Sequence, residues 1–114
     1  MSDINRPVPR TAMQVQERQW RSKLAGIISR YGFVRGCLLE RERVCGKPNC
    51  RCARGHKHRS LYLVRSKEGR SQQMYVPKRW ESDVRQWVSN YHDLRDLTER
   101  VSEEYWKKVR KRQG

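Results

Sequence analysis

Between residues 13 and 31 the apolar side chains Met13, Trp20, Leu24, Ile27, Ile28 and Tyr31 recur mostly at steps of three and four. That spacing gathers them near one face of a helix running from Thr11, and Gly32 is suited to end it. Residues 33–44 set Val34, Leu38, Leu39 and Val44 among charged neighbours, an imperfect alternation that predicts a first strand. Residues 60–64 (SLYLV) and 73–76 (QMYV) alternate well enough for a second and a third, and Lys67-Glu68-Gly69-Arg70 between them carries the Gly of a hairpin turn. Pro77 closes the sheet. The strongest pattern follows: Trp80, Val84, Trp87, Tyr91, Leu94, Val101 and Tyr105 fall at steps of four, three and once seven. Pro77 suits a first helical position, Glu81 and Asp83 suit the positive end of the helix dipole, and the bases from Lys107 to Arg112 suit the other.

The expected fold is therefore α+β: a three-stranded antiparallel sheet between an N-terminal helix and a long C-terminal helix. A helix over residues 78–111 would be about 50 Å long at 1.5 Å per residue, more than so small a domain can cover. Leu94, Leu97, Val101 and Tyr105 then predict docking onto a second copy of the chain or a larger protein. Residues 1–10, with two of the four prolines and no apolar period, read as a flexible basic arm, and residues 11–111 as a single domain.

Composition sharpens this in two ways. Hydrophobic residues make up 35% of the 114 and charged ones 34%, enough for a thin core that an additional staple would help. No run approaches the roughly 20 apolar residues of a membrane helix, and the start of the chain lacks the apolar stretch of a signal peptide, so a cytoplasmic protein with no membrane partner is expected. The net charge is +15, unevenly spread: seven bases against two acids in residues 1–35, twelve against three in 36–80, and eight against seven in 81–114. Such an excess attracts polyanions, and it peaks around the cysteines.

Cys45-Gly46-Lys47-Pro48-Asn49-Cys50-Arg51-Cys52, followed by His56 and His58, carries the candidate chemistry. Three thiols in eight residues of a reducing compartment point to metal ligation, with free thiols or an iron–sulfur or redox role as alternatives. A tetrahedral zinc ion takes Cys3His as one of its closed sets. Gly46, Pro48 and Asn49 supply a tight turn, and Lys47, Arg51 and Arg54 favour the thiolates. Spacing alone leaves His56 and His58 as rivals for the fourth position. Cys37, on the first strand, is expected to be a buried small hydrophobe. A closed set leaves no open position for water, so the metal would be structural. With no phosphate loop, no H-E-x-x-H and no carboxylates beside a His, no enzyme activity is expected, and His92 reads as a surface residue.

Residues 36–91 resemble a family of small prokaryotic proteins known only as a domain of unknown function, often found near mobile genetic elements. The likeness rests on Gly36, Leu38, Cys45-Gly46-Lys47-Pro48, Cys50, Cys52-Ala53, Gly55, His58, Tyr62, Tyr75-Val76-Pro77-Lys78, Trp87 and Tyr91. The family's His falls on His58, which implies the ligand set Cys45, Cys50, Cys52 and His58. This chain departs from the family in Arg59-Ser60, where Gly-Pro is common, and in Cys37, where Ser is usual.

The expected function is nucleic-acid binding, DNA or RNA, by an accessory or regulatory protein with a zinc knuckle between strands one and two. Lys47, Arg51, Arg54, Lys57 and Arg59 would meet phosphates around the knuckle, and Arg65, Lys67, Arg70, Lys78 and Arg79 would extend that face. Tyr62 or Tyr75 would serve as a base-stacking platform, although strand tyrosines are more often core. The rival readings are a protein-interaction module docking through the C-terminal helix and a subunit of a ribonucleoprotein or nuclease assembly.

Overall fold

The computed structural model describes residues 5–43 and 58–113. A single 3-10 turn, Arg10–Ala12, precedes helix α1, Val15–Arg30. Strands β1 (Cys37–Arg43), β2 (His58–Lys67) and β3 (Arg70–Val76) follow, then a second 3-10 turn, Lys78–Trp80, and helix α2, Glu81–Gln113. The α+β architecture is as expected, with a short N-terminal helix, an antiparallel sheet in the order β1-β2-β3, and a long C-terminal helix. None of the helices described is long and apolar enough to cross a membrane.

The chain forms two compact units, one of Phe33–Tyr91 and one of Met1–Gly32 with His92–Gly114. We term them the sheet unit and the helical unit. In the sheet unit β1 pairs with β2 from Cys37↔Val64 to Arg43↔His58, and β2 with β3 from Leu61↔Val76 to Lys67↔Arg70. The two-residue turn at Glu68 (φ 53°) and Gly69 (φ 75°) has both residues left-handed, the conformation that matches the twist of a tight hairpin. The ladder extends to the turn, past the apolar parts of both strands, because its hydrogen bonds come from the backbone.

Leu61 and Val76 from the sheet and Val84 and Val88 from the first turns of α2 form the core of this unit, with Val34, Leu38, Leu63 and Trp87 packed around them. Trp87 also meets Trp80 in a tilted ring contact with centroids 5.8 Å apart, and its carbonyl accepts the Val34 N–H. Gly36 approaches β2 so closely that a Cβ there would lie 2.8 Å from Leu63 Cδ1 and 2.9 Å from the Val64 carbonyl oxygen. A side chain does not fit, which gives the glycine a packing reason.

In the helical unit Ile27 of α1 meets Leu94 and Leu97 of α2, flanked by Trp20 and Leu24. Three expectations change here. The first helix begins at Val15 rather than Thr11, because Met13 is extended (φ −95°, ψ 140°) after the 3-10 turn. It ends at Arg30 without a left-handed glycine: Tyr31 is itself extended and donates its N–H to the Ile27 carbonyl. The face is also narrower than the apolar count suggests, since Ile28 and Tyr31 are 61% and 59% exposed.

The docking stripe expected on the C-terminal helix loses its main members. Leu94 and Leu97 are buried beneath Ile27, so part of the long helix is covered by the chain's own N-terminal helix.

Candidate nucleic-acid interface

Side chains of a strand point alternately to opposite faces, and in this sheet the alternation separates two chemistries. Leu38, Leu61, Leu63 and Val76 turn to the core under α2. The other face holds Cys37, Leu39 and Arg41 on β1, Ser60, Tyr62, Val64 and Ser66 on β2, and Ser71, Gln73 and Tyr75 on β3. Leu39, Tyr62 and Tyr75 are in register and form one row across all three strands.

Its two ends are open to solvent, with Tyr75 52% and Leu39 41% exposed, and Tyr62 between them is half-buried. The tyrosine rings meet edge to face at 6.0 Å, and the Arg41 guanidinium lies 4.9 Å from the centre of the Tyr62 ring. Arg41 also donates across the sheet to Gln73 Oε1 at 2.7 Å. No acid occupies this face among the described residues. The acids of β1, Glu40 and Glu42, both lie on the opposite parity, where Glu40 accepts from Arg85 of α2 and Glu42 from Arg59 at 3.0 Å. A flat aromatic and aliphatic row edged by a guanidinium, with no negative charge, can stack bases and attract phosphates.

Of the ten basic residues expected to bind, the pleat brings together only some. Arg59, Arg65 and Lys67 share the parity of Leu61, opposite the tyrosine row, and Arg70 pairs with Lys67 at the hairpin end. Arg65 donates to Gln72 at 2.8 Å and Arg59 is engaged with Glu42. Lys78 and Arg79 lie in the 3-10 turn before α2. All six are exposed, but they do not form one surface with Tyr62 and Tyr75. Lys47, Arg51, Arg54 and Lys57 lie outside the described residues, as do the ligand candidates Cys45, Cys50 and Cys52.

His58 opens β2 opposite Arg43, so the ladder holds the two ends of the intervening segment side by side. Among the described residues no group of three or more His, Cys, Asp or Glu is placed to hold a metal ion. Cys37 is an exposed free thiol rather than a buried one. Its register places it with Val64 and Gln73 on the open face, where the sheet has no core to offer it.

Two residues escape a reading of the sequence. Arg41 lies two positions from Leu39, so the same alternation that exposes one exposes the other. Glu17, in the helical unit, is 2% exposed and accepts from Arg21 Nε at 2.8 Å and from the Tyr105 hydroxyl at 2.9 Å. Burial pushes its carboxyl up, but the hydrogen bonds from Tyr105 and Arg21 and the charges of Arg21 and Lys108 outweigh it, leaving the group below its ordinary value. Hydrogen bonding to Glu17 likewise holds the Arg21 guanidinium up. Glu17 stands three residues before Trp20 and four after Met13, so it continues the apolar stripe of α1 by position.

A family model described as Domain of unknown function (DUF6788) matches residues 11–86, from the first 3-10 turn into α2. No curated protein and no solved structure matches the chain.

Proposed function

The chain belongs to this family of unknown function, and from that premise we propose that it is a nucleic-acid-binding accessory or regulatory protein that takes single-stranded nucleic acid on the open face of its sheet. The observation that carries the reading is the solvent-facing row Leu39–Tyr62–Tyr75 with Arg41 against the Tyr62 ring. Large apolar groups exposed side by side mark an interaction surface. The net charge of +15 selects a polyanion as its partner. A single strand offers unpaired bases to the rings, whereas a duplex hides them.

Zinc belongs to the same reading. Three thiolates and an imidazole from Cys45, Cys50, Cys52 and His58 suit the ion's closed tetrahedral sites, in which it serves folding. The direct pairing of Arg43 with His58 supports a compact knuckle between β1 and β2, since the ladder itself closes that loop. Lys47, Arg51, Arg54 and Lys57 would then surround it and reach phosphates beside the stacked bases. On this reading the protein is a cytoplasmic binder without catalysis of its own, in the mobile-element setting that the family resemblance implies.

Titrating the full chain with short single- and double-stranded DNA and RNA at two salt concentrations tests the proposal. Stacking on an aromatic side chain is worth roughly 1–3 kcal/mol per base, so Tyr75→Ala should weaken single-strand binding about tenfold and leave the weaker duplex binding nearly unchanged. A duplex bound more tightly than the single strand, with no effect of Tyr75→Ala, would reject the sheet face.

A further inference from the structure

The helical unit holds a second basic feature, independent of the sheet face. Val15, Arg18, Gln19, Ser22 and Lys23 recur at three- and four-residue steps along one side of α1, and Arg10 comes beside them from the preceding 3-10 turn. Together they line an open cleft of about 500 Å³. A second cleft of about 350 Å³ shares Arg10, Arg18 and Ser22 with it and adds Arg21. Among the described residues no carboxylate lines either one. The cleft on the other side of Gln19 and Lys23 differs, since Asp93 and Asp96 supply negative charge there.

Arg18 is the informative residue. Its Nε is shielded from solvent and has no hydrogen-bond partner among the described residues. Arg10, Arg18 and Lys23 likewise make no ion pair there, while Arg21, Arg59, Arg85, Arg100 and Lys107 all do. A shielded guanidinium donor without an acceptor is costly, and native proteins leave few of them. Three positive charges, a hydroxyl and an amide lining a cleft with no carboxylate among the described residues provide donors and charge for phosphoryl oxygens.

We propose that the cleft formed by Arg10, Arg18, Ser22 and Lys23 is a phosphoryl-binding site. Its ligand is a phosphate group, carried either on a nucleic-acid strand or on a free polyphosphate. Arg18 supplies its guanidinium from the cleft wall, and Lys23 and Arg10 supply charge beside it.

The test follows the Arg18 Nε–H resonance of the ¹⁵N-labelled full chain during titration with pyrophosphate, with acetate at matched ionic strength as control. A saturable shift with pyrophosphate alone is expected. Lys23→Gln, at an exposed position without an ion pair, should weaken it at least threefold, whereas Arg59→Gln in the sheet unit should not. Arg18→Gln, followed through the Ser22 and Lys23 amides, should abolish it. No saturable shift, or equal affinity in wild type and Lys23→Gln, overturns the site. Competition by oligonucleotides with and without a 5′-phosphate then identifies the source. Equal competition assigns backbone phosphate, competition by the phosphorylated strand alone assigns a strand end, and competition by neither assigns a free polyphosphate.

Discussion

The two units draw on the same long helix and solve opposite problems. In the helical unit Leu94 and Leu97 meet Ile27, and the stripe that buries them also buries a carboxylate. Glu17 is tolerated there because Tyr105 and Arg21 satisfy it. In the sheet unit Val84 and Val88 meet Leu61 and Val76, and the burden falls on the far side of the sheet, where Leu39 and Tyr75 stay in water. A buried charge that accepts hydrogen bonds from Arg21 and Tyr105 is explained within the unit. An exposed aromatic row is not, because nothing in the sheet unit covers it. That asymmetry is why the sheet unit carries the functional reading and the Glu17 cluster does not.

The largest expected effect falls on the sheet unit alone. Structural zinc contributes binding free energies of roughly 10–16 kcal/mol in small peptides, and this energy is folding energy. One zinc per chain should be found by elemental analysis of protein purified without added metal. Cys50→Ser should lose the metal and unfold the β1–β2 pairing, while amide protection around Ile27 and Leu94 persists. Unchanged zinc content and melting temperature in Cys50→Ser would rule out the knuckle.

Core truncations come next. Leu61 is 2% exposed, and Leu61→Ala should cost about 2–5 kcal/mol in urea unfolding. Leu39→Ala, on the open face of the same sheet, should cost less than about 1 kcal/mol. Comparable losses at the two positions would mean that the open face is covered, and the contrast between the units would fail.

How far these features are legible in the sequence depends on which force sets them. The hairpin at Glu68-Gly69 can be read because a two-residue turn demands left-handed residues and Gly supplies one. The periodic stripe of α2 announces a helix. What the stripe cannot announce is its partner: Leu94 and Leu97 have the same spacing whether they meet α1 or another molecule. The basic residues fail in the opposite way. Charge density along residues 36–80 is plain, but the pleat sends Arg59 and Arg65 to one face and Arg41 to the other, a division that depends on register. The exposure of Cys37 is hidden for the same reason, since its small apolar character says nothing about which face of β1 it occupies. Glu17 is hidden because a carboxylate in an apolar stripe is readable as buried only once Tyr105, far along the chain, is seen to reach it.

The Glu17 cluster predicts a pH dependence that belongs to the helical unit. A carboxyl held below its ordinary value of 4.5 in the folded protein contributes stability that is complete above that value. It is lost as pH falls through the lowered folded value. Urea midpoints should therefore be level above about pH 5 and decline on the acid side. Glu17→Gln should flatten that decline and, by weakening hydrogen bonds to a charged acceptor, cost about 1–3 kcal/mol at neutral pH. An acid limb unchanged in Glu17→Gln would assign it to other carboxylates.

The smallest effect discriminates between the basic regions of the two units. Lys47→Ala, Arg51→Ala and Arg54→Ala together should weaken nucleic-acid binding at least tenfold, about 1.4 kcal/mol, without releasing zinc, because none of the three is among the proposed ligands. Removing one phosphate-binding cation should lower the salt slope by about 0.7 for a single strand. Replacing Lys107, Lys108, Lys111 and Arg112 in the helical unit should do less. Lys107 is paired with Glu104 at 3.5 Å and Lys108 lies 4.3 Å from the centre of the Tyr105 ring, so two of the four charges are already engaged. Measuring binding at several salt concentrations separates the two sets, since a general charge effect would lower both slopes in proportion to the charges removed. A larger loss from the four tail residues than from the three knuckle residues would move the binding surface to the C-terminal end of α2, and would leave the open tyrosine row without the neighbouring phosphate-binding groups that its reading requires.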